Sequence, residues 1–124
     1  MKSSRSASKG QVGAPGKVGA VLHVLDVAEV AAGSLDEYVR LLVTEVLPDT
    51  ARRGLEVAGC WTSAREDGGA DVIVLLAATN WEAWAAARSL ASRDPAVGER
   101  ARRLRAMAKS ATRRFLVPVE AVTE

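Results

Sequence analysis

The chain has few side chains of the kinds that carry proton transfer, nucleophilic attack or metal binding. Its 124 residues include one cysteine, one histidine and five aromatic residues. The lone Cys60 excludes a disulfide within the chain, and no CxxC pair or His/Cys cluster is present to hold zinc. No apolar run approaches the roughly 20 residues that cross a bilayer, and the basic N-terminus lacks the apolar stretch of a signal peptide. We therefore expect a soluble, cytoplasmic protein that binds neither a metal nor a membrane.

Acidic residues are absent from residues 1–17, which carry four of the seventeen basic residues of the chain. The remainder has thirteen basic against fifteen acidic residues, and such a body is a poor electrostatic match for DNA or RNA. Residues 1–17 also lack the apolar side chains that would offset the entropy of ordering, so a disordered basic tail is predicted there. Their glycines follow no strand and precede no helix, so no nucleotide-binding loop is expected.

Hydrophobic patterning after residue 17 predicts strands and helices in alternation. Runs rich in Val and Leu indicate buried strands, and the run DVIVLLAAT is so continuous that it is expected at the centre of a sheet. The glycines of REDGGAD predict a hairpin turn between two of the strands. Strands are predicted at 18–27, 55–64, 71–79 and 113–119, and helices at 34–53, from the tryptophans after residue 80, and from 94 to about 109.

The ends of the predicted helices carry local signals. Ser34-Leu-Asp-Glu37 has the pattern of a capping box, in which the hydroxyl and the carboxylate would satisfy first-turn N–H groups. Pro48 is expected to kink or divide the same helix, and Gly54 is expected to end it. Asn80 is predicted to cap the helix at the tryptophans, and Asp94-Pro95 to start the next helix.

The order β-α-β-β-α-α-β, with the last two helices as one broken crossover, predicts a ferredoxin-like α+β fold with a four-stranded antiparallel sheet. Such a fold covers one face of the sheet with helices. Because the first and third strands are apolar on both faces, the second face is expected to meet another copy of the chain. The sequence therefore predicts a homodimer whose domain spans 18–119, followed by a short tail at 120–124.

Two stretches, together with the order of elements, resemble the dimeric α+β barrel superfamily, in particular the antibiotic-biosynthesis monooxygenase and NIPSNAP-like families. They are ARRGLEVAGCW, which leads into the second strand, and DVIVLLAATNWEAW, which leads out of the third. The resemblance covers residues 18–119 and implies that two subunits join their sheets, each keeping a pocket between sheet and helices. Members include cofactor-independent oxygenases that turn polycyclic phenols into quinones, haem-degrading enzymes, cyclases of aromatic polyketides and proteins of unknown role.

The resemblance implies a site at the stretch TNWEAW. In the quinone-forming oxygenases an asparagine and a tryptophan four residues apart line the pocket, and Asn80 and Trp84 match that spacing. An amide and an indole N–H suit this chemistry, because they can hold the oxyanion of a phenol that passes an electron to O₂. Both residues also have an ordinary explanation, since Asn commonly caps helices and Trp at helical spacing commonly lies in a core. Trp81 would contact the substrate or pack nearer the sheet or the dimer seam.

His23 is the sole histidine, and its side chain is the type whose ordinary pKa lies near neutrality. It would act as the base that takes a phenol or enol proton if its strand face lines the pocket, or as a hydrogen-bonded core histidine if it faces the dimer. Cys60 and Trp61 point to opposite faces of the second strand, and bulk favours Trp61 as the one that faces the helices and the ligand. Cys60 is then a small apolar residue rather than a nucleophile.

The helix before the last strand is rich in arginine, and most of its arginines are expected on the solvent face. Relatives of the oxygenase type place an arginine on this helix near the substrate, which implies Arg103 or Arg105 here. The tyrosine that such relatives carry shortly after the tryptophan is replaced by Leu90, and Tyr38 is the candidate that substitutes for it. Haem-degrading relatives bind iron through a histidine in this region, which the chain lacks, so no haem or other cofactor is predicted.

These features predict a small-molecule enzyme of natural-product biosynthesis, a cofactor-independent oxygenase or cyclase that acts on a hydrophobic polycyclic substrate. The alternative is a non-catalytic ligand-binding or interaction protein on the same fold, because a fold does not fix an activity. One histidine, one cysteine and one tyrosine favour binding or shape-driven catalysis over chemistry that shuttles protons.

Overall fold

Residues 21–119 are described by the computed structural model, and they form a four-stranded antiparallel sheet with helices packed on it. The strands are β1 (Leu22–Val30), β2 (Glu56–Ala64), β3 (Ala70–Ala78) and β4 (Ala108–Leu116). The helices are α1 (Ala32–Leu41), a π-helical segment (Leu42–Val46), α2 (Leu47–Arg52), α3 (Trp81–Ser92) and α4 (Pro95–Ala106). The tails predicted at 1–17 and 120–124 lie outside the described residues. None of the helices in residues 21–119 has the length and apolarity to cross a membrane.

The strands are ordered β2-β3-β1-β4 across the sheet, which is the ferredoxin-like arrangement. Each neighbouring pair is antiparallel, and β1 pairs with β3 from Leu22 opposite Ala78 onward. On its other side β1 pairs with β4, with Asp26 opposite Arg113. The predicted ferredoxin-like α+β class is confirmed, and the two strands predicted to be apolar on both faces occupy the centre of the sheet.

Alternate residues of the central strands face the helices and form the core. Leu22, Val24 and Val30 of β1 are at most 2% exposed, and they pack with residues of the helical layer such as Leu42 and Ala87. Successive side chains of a strand point to opposite faces, so these alternate positions lie together on the buried face of the sheet. Burial of this kind contributes about 25 cal/mol per Å² of apolar surface, and it holds the helices over the sheet.

The other face of the sheet, here called the open face, is apolar at its centre and polar towards the strand ends and on β4. Its apolar members are partly or well exposed, among them Leu25 and Val27 of β1, Trp61 of β2, Ile73 and Leu75 of β3, and Leu116 of β4. Its polar members include His23, Glu29, Asp71, Thr112 and Arg114. The indole of Trp61 lies over Gly59, and three of its carbon atoms are 2.9 Å or less from the point that a Cβ of residue 59 would occupy. The open face therefore has an apolar centre that the described helices leave uncovered.

The prediction that Trp61 faces the helices is wrong, and Cys60 takes that side, opposite the buried Val74. The pairing of β2 with β3 shifts between Val57 and Gly59, where β2 contains an extra residue. Because side chains alternate strictly along a strand, one extra residue moves every later side chain to the opposite face. Trp61 therefore leaves the side that Val57 occupies and joins the open face.

The predicted capping box is also wrong. β1 continues to the fully buried Val30, and α1 begins at Ala32 with Ala31 as an N-cap that makes no side-chain hydrogen bond. Ser34 consequently lies inside the first turn and does not cap it. β4 likewise begins earlier than predicted, at Ala108, because its pairing with β1 continues to the end of that strand.

Pro48 divides the first helix, as predicted, by opening it into the π-helical segment that precedes it. Proline has no N–H, so the α-helical hydrogen bond to the carbonyl four residues earlier cannot form at this position. The N–H of Leu47 donates instead to the carbonyl of Leu42, which is the five-residue spacing of a π-helix. The helix then ends at Gly54, whose φ of 96° confirms the predicted glycine cap.

Candidate functional site

A cavity of about 270 Å³ lies between the helix-facing side of the sheet and the helices. Much of its wall is apolar, formed by Leu42, Val72, Val74, Leu76 and Leu104. Its polar and aromatic lining residues are Asp26, Tyr38, Thr50, Arg53, Trp84, Arg88, Arg105, Thr112 and Arg113. An apolar cavity with a small number of converging polar groups is the usual form of a small-molecule site.

Trp84 of α3 forms one side of this cavity, and neighbouring side chains hold its ring in place. The ring meets that of Phe115 edge-on, with 5.5 Å between centroids. The guanidinium carbons of Arg113 and Arg88 lie 4.9 Å and 5.8 Å from the indole centroid. Edge-to-face aromatic pairs are favourable, and cations are attracted to the negative face of an indole. The indole is therefore oriented before any ligand arrives.

Asp26 and Arg113 form a two-pronged ion pair beside Trp84. Nε and Nη2 of Arg113 donate to the two carboxylate oxygens of Asp26 at 2.7 Å and 2.8 Å. Because the two residues lie opposite each other on β1 and β4, the pairing of the strands determines this geometry. The hydrogen bond to Asp26 raises the pKa of Arg113. The cation over the indole is thus fixed by the sheet itself.

Tyr38 of α1 presents the one phenol of the chain to the cavity. The residue is buried, and burial is the main cause that raises its pKa to about 12, with smaller contributions from Asp26 and Cys60. The hydroxyl therefore stays protonated at physiological pH. In that form it can donate a hydrogen bond to an oxygen atom of a ligand.

We expect alkaline titration of the folded protein to show a tyrosine midpoint at about pH 12, against 10.0 after unfolding. Phenolate absorbance reports Tyr38 alone, because the chain has a single tyrosine. A raised pKa in the folded state means that the phenolate opposes folding. Stability is then unaffected by this group below pH 10.0 and falls as the pH rises from there to about 12. Tyr38→Phe should remove this part of the alkaline loss, and an unshifted native midpoint would contradict the burial of the hydroxyl.

Asn80 caps helix α3, as predicted. Its Oδ1 accepts a hydrogen bond of 2.8 Å from the backbone N–H of Ala83, and the residue is exposed. Trp84 lines the cavity, but Asn80 does not. The expectation that Asn80 and Trp84 address one ligand is therefore corrected, because the amide oxygen is engaged by the helix end outside the cavity.

The two arginines predicted on the last helix separate in the same way. Arg105 lines the cavity, whereas Arg103 is exposed and lies outside the lining. Trp81 is 55% exposed and also lies outside it, with its ring 5.3 Å from that of Phe115. Trp81 therefore packs on strand β4, neither in the core nor on the open face.

His23 and Trp61 lie on the open face, on the opposite side of the sheet from the cavity. His23 is paired with Ala77 and Leu116, and Trp61 with Ile73, at positions that alternate with the buried ones. Neither side chain can reach a ligand bound between the sheet and the helices. The predictions that His23 is the base in that pocket and that Trp61 contacts its ligand are corrected.

Sequence reasoning did not find Asp26, Arg53, Arg88 or Arg113. The four residues come from separate parts of the chain, and Asp26 and Arg113 are 87 residues apart, so no local spacing links them. One signal was present, because Asp26 interrupts the apolar run LHVLDV at a position that alternation places on the same face as Val24. A carboxylate on a buried strand face requires a partner, which points to a site.

Hydrogen-bond donors dominate the polar groups of the cavity. Among residues 21–119, no three side chains of His, Cys, Asp or Glu come together as a metal site would require. The lining offers guanidinium, phenol and indole groups, which donate hydrogen bonds. This set of groups is suited to an oxyanion of a ligand.

Solved structures share the fold. A NIPSNAP family protein from Agrobacterium tumefaciens is 19% identical, with a TM-score of 0.69 over 85% of this chain and 91% of that one. A candidate antibiotic biosynthesis monooxygenase from Chloroflexus aurantiacus is 13% identical, with a TM-score of 0.52 over 79% and 92%. A dimeric ferredoxin-like protein from an uncultured marine organism is 11% identical, with a TM-score of 0.53 over 80% and 87%.

These likenesses confirm the resemblance stated from the sequence at the level of the fold. The chain has the ferredoxin-like fold that NIPSNAP proteins and an antibiotic biosynthesis monooxygenase-like protein share. No protein-family model matches the chain, and no curated protein sequence matches it. At identities below 25% the structural likeness concerns the fold alone, so the activity has to be argued from the cavity.

Proposed function

We propose that the chain is a small-molecule enzyme of natural-product biosynthesis, which binds a hydrophobic polycyclic substrate in the cavity and acts on it as a cofactor-independent oxygenase or cyclase. The observation that carries the proposal is that the oriented indole of Trp84 and the protonated hydroxyl of Tyr38 line the same largely apolar cavity. Flat rings pack well against an indole, and the oxygen atoms of a polycyclic phenol or polyketide would find donors next to it.

Donor groups around an apolar cavity favour the anionic form of a weakly acidic substrate. A phenol or enol near guanidinium groups loses its proton more readily, because its oxyanion is stabilised where water is excluded. In the oxygenase case the oxyanion gives electrons to O₂; one oxygen atom joins the carbon skeleton and the other leaves as water. In the cyclase case the same enolate attacks a carbonyl carbon within the substrate.

Non-catalytic binding is the second candidate, and the lack of a free base in the described lining favours it. Asp26 is the one carboxylate among the lining residues, and it is engaged by Arg113. His23 lies on the open face. A cavity that offers donors without a proton acceptor is able to bind an oxyanion without converting it.

The open face supports a second proposal, that two copies of the chain pair sheet against sheet. The side chains at its centre are apolar and partly exposed, and an apolar surface of this kind is commonly covered by a partner. One structural neighbour is described as dimeric. The homodimer and the cytoplasmic location expected from the sequence remain predictions.

Anthrone, a flat tricyclic ketone whose enol is a phenol, tests the oxygenase proposal. We expect it to quench tryptophan fluorescence, and the protein to consume O₂ and form anthraquinone faster than buffer alone. Trp84→Phe keeps most of the ring and removes the N–H, so binding and turnover should fall roughly fivefold. Trp81→Phe is the matched control, because Trp81 lies on the same helix outside the cavity, and it should behave as the wild type.

Quenching without O₂ uptake would remove the oxygenase and leave cyclisation or binding alone. Mass spectrometry of a ligand retained through purification separates those two, since a cyclase holds a cyclised product. An equal loss in the Trp81→Phe and Trp84→Phe variants would contradict the placement of the site at Trp84. A wild-type protein that binds no flat apolar molecule would contradict the whole proposal.

A further inference from the structure

We propose that the ligand of this cavity carries a carboxylate, which Arg53 and Arg88 bind, in addition to the apolar rings that pack on Trp84. The proposal rests on the small-molecule function proposed above and specifies its substrate class. Four arginines and one aspartate line the cavity, and Arg113 already engages that aspartate, Asp26. Within residues 21–119, Arg53, Arg88 and Arg105 form no ion pair with a carboxylate. The cavity therefore has an excess of positive charge that its own side chains do not neutralise.

Arg53 is the most constrained of these cations. It follows helix α2 directly, and its Nε donates to the backbone carbonyl of Ala87 at 3.2 Å, which anchors the side chain beneath α3. Its Nη1 is buried and has no hydrogen-bond partner in residues 21–119. A buried charged donor without a partner is costly, and an anionic oxygen in the cavity would remove that cost.

Arg88 adds a second positive charge close to the first. Burial is the main cause that lowers the pKa of Arg53; the Asp49 carboxylate opposes this effect, and the charge of Arg88 adds to it. Two guanidinium groups near each other repel, unless an anion lies between them. Arg88 is exposed and lies one helical turn after Trp84, with its guanidinium 5.8 Å from the indole centroid. An anion held by both arginines would therefore lie next to the ring-binding wall.

The other lining residues of the cavity determine which chemical group the carboxylate of the ligand is attached to. Leucine and valine side chains form much of the wall, and they favour apolar rings over polar groups. Arginine binds carboxylates in a two-pronged geometry that matches its planar fork. The ligand class that fits both observations is an aromatic or polyketide acid with one carboxylate and an apolar ring system.

Calorimetric titration with naphthalene carboxylate and the corresponding carboxamide tests the inference, because the two probes share their rings and differ in charge. We expect the carboxylate to bind at least about tenfold more tightly than the amide, as charge-assisted hydrogen bonds are the stronger kind. Arg88→Met, at an exposed position, should abolish this preference, so that the carboxylate and the amide bind this variant with equal affinity. Arg53→Met should weaken the preference for the carboxylate in the same way. If the Arg53→Met variant does not fold, the exposed Arg88→Met variant still tests the inference.

Arg103→Met is the matched control, because it removes the same charge from an exposed position outside the cavity. It should leave the preference for the carboxylate unchanged. Equal binding of the two probes by the wild type would overturn the carboxylate site while the proposed function stood. A preference lost equally in Arg88→Met and Arg103→Met would also overturn it, because the effect would then come from the general charge of the surface. Failure of both probes to bind would overturn the inference and the proposed function together.

Discussion

Replacing Arg100 with methionine is expected to lower the melting temperature by about 10 °C. The carboxylate of Asp49 is 3% exposed, and Arg100 binds it through Nε at 2.7 Å and Nη2 at 2.9 Å. This ion pair joins α2 to α4 across 51 residues of sequence. Without Arg100 the buried carboxylate keeps one partner, Arg52, which reaches it from the solvent side. A buried charge that loses its main partner destabilises the folded state strongly.

Arg102→Met is the control for this prediction. Arg102 lies on the same helix and binds the exposed Glu99, and exposed pairs of this kind contribute little. The melting temperature of Arg102→Met should fall by no more than about 2 °C. Thermal unfolding followed by circular dichroism measures both variants. If the two substitutions lowered the melting temperature equally, the Asp49–Arg100 pair would contribute no more to stability than an exposed ion pair does.

The same ion pair links stability to pH. The hydrogen bond from Arg100 is the main cause that lowers the pKa of Asp49, and it outweighs the opposing effect of burial. A lowered pKa means that the pair stabilises the fold above the ordinary pKa of aspartate. This stability is lost as the pH falls through the lowered value. The acid side of the stability curve should therefore be flatter in Arg100→Met than in the wild type.

Replacing Ile73 with lysine is expected to separate the proposed dimer into monomers and to raise its dissociation constant by at least about a hundredfold. Ile73 lies on the central strand β3, between Trp61 on one side and Val27 on the other. In a symmetric homodimer both subunits carry the substitution at the interface. Two unpaired ammonium groups would therefore have to be buried against apolar side chains. Analytical ultracentrifugation of wild type and variant measures the difference.

Leu90→Lys provides the control for charge and for lost apolar surface. Leu90 is 48% exposed on α3, away from the open face, so this variant should assemble as the wild type does. Far-ultraviolet circular dichroism should show that both variants are folded. A monomeric wild type at micromolar concentration, or an Ile73→Lys variant that stays dimeric, would contradict pairing through the open face.

Local signals made the elements of this fold predictable. Asn80 and Asp94 cap their helices through hydrogen bonds to backbone N–H groups within three residues, and Gly54 ends its helix by a backbone conformation that glycine favours. The apolar continuity of β3 likewise predicted its central position. Each of these features depends on residues that are close in sequence, and the order of elements then limits the fold to a few topologies.

The site was less predictable, because it depends on the register of strands and the packing of helices. The extra residue before Gly59 turned Trp61 to the open face. Gly59 is the one local signal of that irregularity, because an isolated glycine inside a strand is typical of a bulge. Arg53 reaches the cavity by passing beneath α3 to the carbonyl of Ala87, 34 residues later. Asn80 matched a ligand-binding spacing and a helix cap equally well, and the carbonyl oxygen of its side chain serves the cap. The spacing suggested that both residues line one pocket, whereas the structure places Trp84, and not Asn80, in the wall of the cavity.

The absent side chain at Gly59 determines how Trp61 lies, since a Cβ there would take the space of its indole ring. Any other residue would push the indole ring away from the sheet. The shape of the open face, which a second copy would contact, would then change. Self-association would then be controlled by a position that contributes no contact area of its own. A glycine codon becomes an alanine codon by one base change, so in the proposed dimer a single mutation would alter the paired surface and leave the cavity on the far side of the sheet untouched.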